Sequence, residues 1–93
     1  MSRPVLSDAD RADGFRGVAH PTRRRVIRLL GQGEMSVSQL LAQLKLSPQA
    51  LSGHLTILRE TGIVTHRTAG PQRLYRLSKS SLRSLGRWLA ESA

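Results

Sequence analysis

Gln49, Ser52, Gly53, His54 and Thr56 lie close together in a chain that otherwise offers little reactive chemistry. Just before them, Ser47 is a good helix N-cap, with a hydroxyl able to accept from an orphaned helix N–H. Pro48 follows at the first helical position, where no N–H is needed. In the helix that starts there, Leu51, Leu55 and Leu58 recur at i, i+4, i+7 and form one apolar stripe. Gln49, Ser52, Gly53 and Thr56 fall on the opposite side, which is small and uncharged. A surface helix usually fills that side with Lys and Glu. A short, hydrogen-bonding face free of negative charge suits a helix that enters a DNA major groove and reads base edges. The plainer alternative is an exposed face with no ligand.

Covalent and proton-transfer chemistry lack their parts. There is no cysteine, hence no disulfide framework, thiolate metal site or thiol redox chemistry. No G-x-S-x-G, phosphate-cradling glycine loop or carboxylate pair in an apolar setting is present, so an enzyme is not expected. His20, His54 and His66 are scattered over three elements, and no metal site or cofactor is expected from them. His54 is instead a candidate donor to a phosphate or base edge.

Charge supports a polyanionic partner. Fifteen basic residues, thirteen of them Arg, stand against six acidic ones for a net charge of +9. Asp8, Asp10 and Asp13 cluster near the start, so from Gly14 onward thirteen bases face three acids, a net +10. Phosphate contacts release counterions and dominate nucleic-acid affinity, and the planar fork of Arg suits phosphates and guanine edges. Only three aromatic residues are present, too few for base-stacking platforms of the single-strand or RNA type. No run of eighteen apolar residues occurs, so no membrane partner is expected. The first residues lack the apolar core of a signal peptide, and a cytoplasmic protein, nucleoid-associated when on DNA, is expected.

The elements that must position this face follow in order. Ninety-three residues suffice for one domain, 1–93, with residues 1–6 a loose end. A first helix from Ser7 carries acids in its first turn and a weak apolar stripe at Ala12, Phe15, Val18 and Ala19. Gly14 and Gly17 each cost it about 1 kcal/mol, so docking must hold it. His20-Pro21 opens a second helix with Val26, Ile27, Leu29 and Leu30 inward and Arg23, Arg24, Arg25 and Arg28 around the other side. The arginines read either as a solvated face or as phosphate contacts. Gly31 and Gly33 stop it, and Glu34-Met35 is a short extended piece. Ser36-Val-Ser-Gln39 matches a capping box. It opens a short helix with Val37, Leu40, Leu41 and Leu44 apolar. Gly62 ends the Leu51-Leu55-Leu58 helix. Beyond it IVTHR and RLYRL are β-prone runs separated by TAGPQ, a hairpin. Its tip and flanks carry Arg67, Thr68, Gln72 and Arg73. Ser78 or Ser80 then caps a last helix with Leu82, Leu85, Trp88 and Leu89 on one stripe.

The fold class is therefore mainly α (α+β): a winged helix-turn-helix of five helices with a two-stranded β-hairpin wing. In so small a domain the terminal apolar helix is expected to complete its burial against a second copy.

HPTRRRVIRLL and then EMSVSQLLAQLKLSPQALSGHLTILRETGIVTHRTAGPQRLYRL resemble the ArsR/SmtB family of winged-helix repressors, over roughly residues 14–90. The resemblance implies a homodimer through the first and last helices, placing Phe15, Val18, Leu82, Leu85, Trp88 and Leu89 at the interface. It places the helix from Ser47 in the major groove, with the wing at the backbone or adjacent minor groove. The DNA-facing set is then Ser47, Gln49, Ser52, Gly53, His54 and Thr56, with Arg67, Thr68, Gln72 and Arg73 of the wing. Ser36, Ser38 and Gln39 are secondary candidates for the DNA backbone. Members commonly carry a long basic or amide side chain where Gly53 stands. Gly53 either admits closer backbone approach or hands specificity to Gln49 and His54. Many members release DNA on sensing a metal ion or other inducer, but Ser36 and Ser38 occupy the thiolate positions, and hydroxyls are poor ligands for soft metals. Nor does the last helix offer the His of the second type of family site. The expected function is a sequence-specific double-stranded DNA-binding regulator, a homodimeric repressor on an inverted repeat, with its inducer unknown. The alternatives are an architectural DNA binder and a winged-helix protein-interaction module.

Overall fold

A computed structural model describes residues 16–80. Within them lie α1 (Pro21–Leu30), β1 (Met35–Ser36), α2 (Val37–Gln43), α3 (Pro48–Glu60), β2 (Val64–Ala69) and β3 (Gln72–Leu77). Residues 16–18 and 79–80 are also helical. Phe15, Leu82, Leu85, Trp88 and Leu89, expected at a dimer contact, lie outside the described residues. Among the described residues no helix is long and apolar enough to cross a membrane.

Each helix starts where a side chain can satisfy its orphan N–H groups. The His20 ring caps α1, its Nδ1 accepting from the Thr22 N–H at 3.1 Å ahead of a Pro in the first turn. At α2 the expected capping box is complete. Ser36 Oγ accepts from Gln39 N–H at 3.1 Å, and Gln39 Oε1 accepts from Ser36 N–H at 2.8 Å. Ser47 Oγ accepts from Ala50 N–H at 3.1 Å and caps α3. Gly62, with φ +77°, turns the chain out of α3. Its N–H donates to Arg59 O and that of Ile63 to Leu58 O, both at 3.0 Å, the paired bonds of a Schellman ending.

The sheet is larger than the hairpin the sequence implies. Three antiparallel strands run in the order β1-β3-β2, with Met35 opposite Tyr75 and Ser36 opposite Leu74. Two residues are too few to show a strand's period, so β1 read only as an extended piece. The hairpin strands also reach further: Ala69 pairs with Gln72, which narrows the connection to Gly70-Pro71. Gly70 takes φ +61°, as the first central residue of a type II′ turn requires.

The core gathers Val18, Val26, Ile27, Leu30, Leu40, Leu44, Leu51, Leu55, Leu58, Ile63, Val64 and Tyr75. All three leucines of the α3 stripe are buried, each worth about 1.5–3 kcal/mol relative to exposure. Gly17, a liability to a helix on propensity alone, lets residues 16–18 dock: a methyl group there would overlap Ile63 Cδ1. Val18, also expected at a dimer contact, is 2% exposed within the single chain and belongs to its core.

Candidate nucleic-acid interface

Burying Leu51, Leu55 and Leu58 turns the other side of α3 outward, and Gln49, Ser52, Gly53 and Thr56 are all exposed there. Thr56 Oγ1 donates to the Ser52 carbonyl at 2.9 Å, so its hydroxyl faces a ligand only as an acceptor. Gly53 is flanked by open space: a methyl group there would meet nothing within 4 Å. The absent side chain is therefore no requirement of the fold. Ser47, exposed at the start of the same helix, uses its hydroxyl for the cap.

His54 lies differently. It is half-buried against α1, with Arg23 Nη1 3.3 Å from its Nδ1 and its ring centroid 4.6 Å from that of His20. Because a guanidinium only donates, Nδ1 must accept, which assigns the neutral ring's proton to Nε2. Burial, then His20 and Arg23, hold the His54 pKa below its ordinary 6.5. Two histidines that seemed scattered in sequence are thus neighbours. The same Arg23 donates to the carbonyls of Gly17 (3.1 Å) and Arg16 (2.8 Å), and Arg24 to that of Val18 (2.7 Å). Both arginines tie residues 16–18 to α1. Arg25 and Arg28 face outward.

Ser36, a secondary candidate for the DNA backbone, is withdrawn from the surface. It is buried, and its hydroxyl and N–H are both engaged in the α2 capping box. Gln39 is exposed, but its carbonyl oxygen is held by the same box; Ser38 is exposed. That box also fits a metal poorly, since the one buried hydroxyl at the thiolate positions already has its partner. Among the described residues no group of three His, Asp or Glu is placed to hold a metal ion.

In the wing, strand alternation separates residues that adjoin in sequence. Thr68 and Arg73 are cross-strand partners, both exposed, on the face that continues from His66 and buried Tyr75. Arg67 and Gln72 lie on the opposite face, opposite Leu74 and Ala69. There Arg67 binds Glu34 through two hydrogen bonds, Nε to Oε2 at 3.0 Å and Nη2 to Oε1 at 2.8 Å. That bond holds the carboxyl below its usual range and raises the guanidinium. Arg67 therefore reaches from β2 past β3 to the residue before β1, and is not free at the wing flank as its position in sequence suggested. It is the only ion pair among the described residues, although these hold eleven Arg and Lys against two Glu.

Sequence reasoning passed over Arg59, Thr65 and His66. With Thr56, Glu60 and Val64 they line an open groove between α3 and β2. A signal existed: Ser52, Thr56 and Arg59 recur at i, i+4, i+7, the spacing of the buried leucines shifted by one residue.

The arrangement is an uncharged, open helix face beside a hairpin that presents Thr68 and Arg73, in a strongly basic chain. Residues 18–67 match a helix-turn-helix domain family. The chain is 36% identical over 76 residues to the HTH-type transcriptional regulator Rv2034 of Mycobacterium tuberculosis, covering 82% of this chain and 69% of that protein. Its fold also superposes on a solved ArsR family transcriptional regulator. The chain belongs to the ArsR/SmtB family of winged helix-turn-helix transcriptional regulators. It is also 44% identical over 62 residues to the biofilm growth-associated repressor of Agrobacterium fabrum, covering 67% of this chain but only 53% of that protein. Among solved structures, the ArsR family transcriptional regulator RHA00566 superposes with a TM-score of 0.78 at 25% identity, covering 96% of this chain and 92% of that one. In this ArsR/SmtB chain α3, the second helix of the helix-turn-helix, lies between a short capped helix and a β-hairpin in chain order.

Proposed function

We propose that this ArsR/SmtB chain is a homodimeric repressor that reads an inverted-repeat operator in double-stranded DNA. The observation that carries this reading is the outer face of α3. Gln49, Ser52, Gly53 and Thr56 are exposed and uncharged, and the open space at Gly53 lets a base edge approach the helix backbone. His54 serves chiefly by fixing the start of α3 against α1 through Arg23, with Nε2–H left as its donor. Thr68 and Arg73 hold the backbone from the wing, while Gln72 and Arg67 stand on the wing's other face. Repression is supported by the likeness to the Agrobacterium fabrum relative, a biofilm growth-associated repressor. The dimer contact expected from the sequence, Phe15, Leu82, Leu85, Trp88 and Leu89, lies outside the described residues. These 93 residues hold no cysteine, so they offer no thiolate to a soft metal.

Two reading helices related by a twofold axis engage half-sites about one helical turn, 10–10.5 bp, apart. Selection from random duplexes should return an inverted repeat with that spacing. Recovery of unrelated sequences, with no enriched motif, overturns sequence-specific repression.

A further inference from the structure

We propose that the groove between the C-terminal half of α3 and strand β2 seats a phosphodiester of the DNA backbone, held by Arg59 and His66 with Arg73 beyond them. This rests on α3 being the base-reading helix. A strand that borders the major groove must pass between a helix lying in that groove and a wing lying beside it. The groove lies between those two elements, α3 and the wing strand β2. Thr56 joins it to the reading face, and Thr65 and His66 form its far wall.

The groove's chemistry favours an anion. Arg59 is exposed and takes part in no ion pair among the described residues. The strand register sets His66, Thr68 and Arg73 on one face, so the cations of helix and wing converge on the groove from both sides. The His66 ring packs on Tyr75 with centroids 5.2 Å apart, and its Nδ1, closed off from solvent, has no hydrogen-bond partner. A buried N–H without a partner is rarer than a buried lone pair, which places the neutral ring's proton on Nε2, the donor left for a ligand. Burial, followed by Arg59 and Arg73, lowers the His66 pKa, as convergent positive charge should. Glu60 lines the same groove and is the one carboxylate there. It opposes a phosphate, which gives the proposal a second, oppositely signed test.

The experiment measures binding of the full chain, and of its Arg59→Gln and Glu60→Gln variants, to one fixed duplex and to a random one across a salt series. Both side chains are exposed, and thermal melts check that each variant folds as the parent does. Arg59→Gln should lower the slope of log affinity against log salt by about 0.9 and weaken both duplexes alike, roughly eightfold at 0.1 M if the contact is screened out by 1 M. Glu60→Gln should tighten binding to both. If Arg59→Gln keeps the parent's slope and affinity, the groove holds no phosphate and the proposal is wrong although the parent binds DNA. If the parent binds no duplex, the reading of α3 fails first and this proposal with it.

Discussion

Gly53→Ala should move stability and DNA affinity in opposite directions. Gly53 sits inside α3 with helical geometry, and a methyl group there meets no atom within 4 Å. The helix gains the Gly-to-Ala propensity difference, about 0.8–1 kcal/mol, with no steric penalty to offset it. For a domain of this size that raises Tm by roughly 4–8 °C. Urea titration at one fixed protein concentration should show a higher midpoint with the slope unchanged, and the fixed concentration keeps dimer mass action constant. On the operator the same methyl group stands where a base edge would approach the helix. Displacing one good contact costs about 1–3 kcal/mol, roughly 5- to 150-fold in affinity. A variant both stabler and weaker on DNA fits a face kept bare for its ligand. If stability falls, the open space at Gly53 is wrong. If stability rises with operator affinity unchanged, this face does not meet the bases.

Three further outcomes follow from the same geometry. Ser36→Ala removes the α2 cap and leaves the Gln39 N–H without its side-chain acceptor, so unfolding should become easier by about 1 kcal/mol; its salt slope on DNA should match the parent's, and a reduced slope would return Ser36 to the DNA contacts. Arg73→Ala should reduce the salt slope by about 1 and weaken all sequences alike, whereas Arg67→Ala, already paired with Glu34 on the other face, should change it less; equal losses would contradict the division of the wing into two faces. Stability should be level above pH 6.5 and decline below it, since unfolded His54 takes up a proton near its ordinary value while folded His54, with its pKa lowered, resists until the pH passes below that lowered value. Urea titrations of the parent and His54→Gln at pH 7.5 and 5.5 check this, the variant being the less sensitive to acid; His66, shifted in the same direction, leaves some dependence in both.

The fold was largely legible because its signals are local. Ser36 with Gln39, Ser47 with Pro48, and Gly62 after Leu58 each fix a helix end within four residues, and the leucine spacing of α3 fixes its buried side. The strands were legible in part. β1 is too short to show a period, and the pairing of Ala69 with Gln72 depends on a turn whose flanks carry no apolar alternation. The site was harder to read where contacts span long stretches of chain. Arg67 meets Glu34 across thirty-three residues and Arg23 meets His54 across thirty-one, and charge alone does not reveal which arginine finds a partner. Reading the wing as one cluster of Arg67, Thr68, Gln72 and Arg73 overlooked strand alternation, which sends alternate side chains to opposite faces. Arg59 was missed because one Arg among many draws no notice until its helix face is known.

Specific reading of duplex DNA by α3 is tested most directly by the ratio of affinities for the selected inverted repeat and for a scrambled duplex of the same length, measured at 0.15 M salt. Phosphate contacts contribute equally to both, so the ratio isolates base reading. A specific repressor should show a ratio on the order of 10³ or more. A ratio near one, with strong salt dependence on both duplexes, would leave a basic protein that holds DNA without reading it.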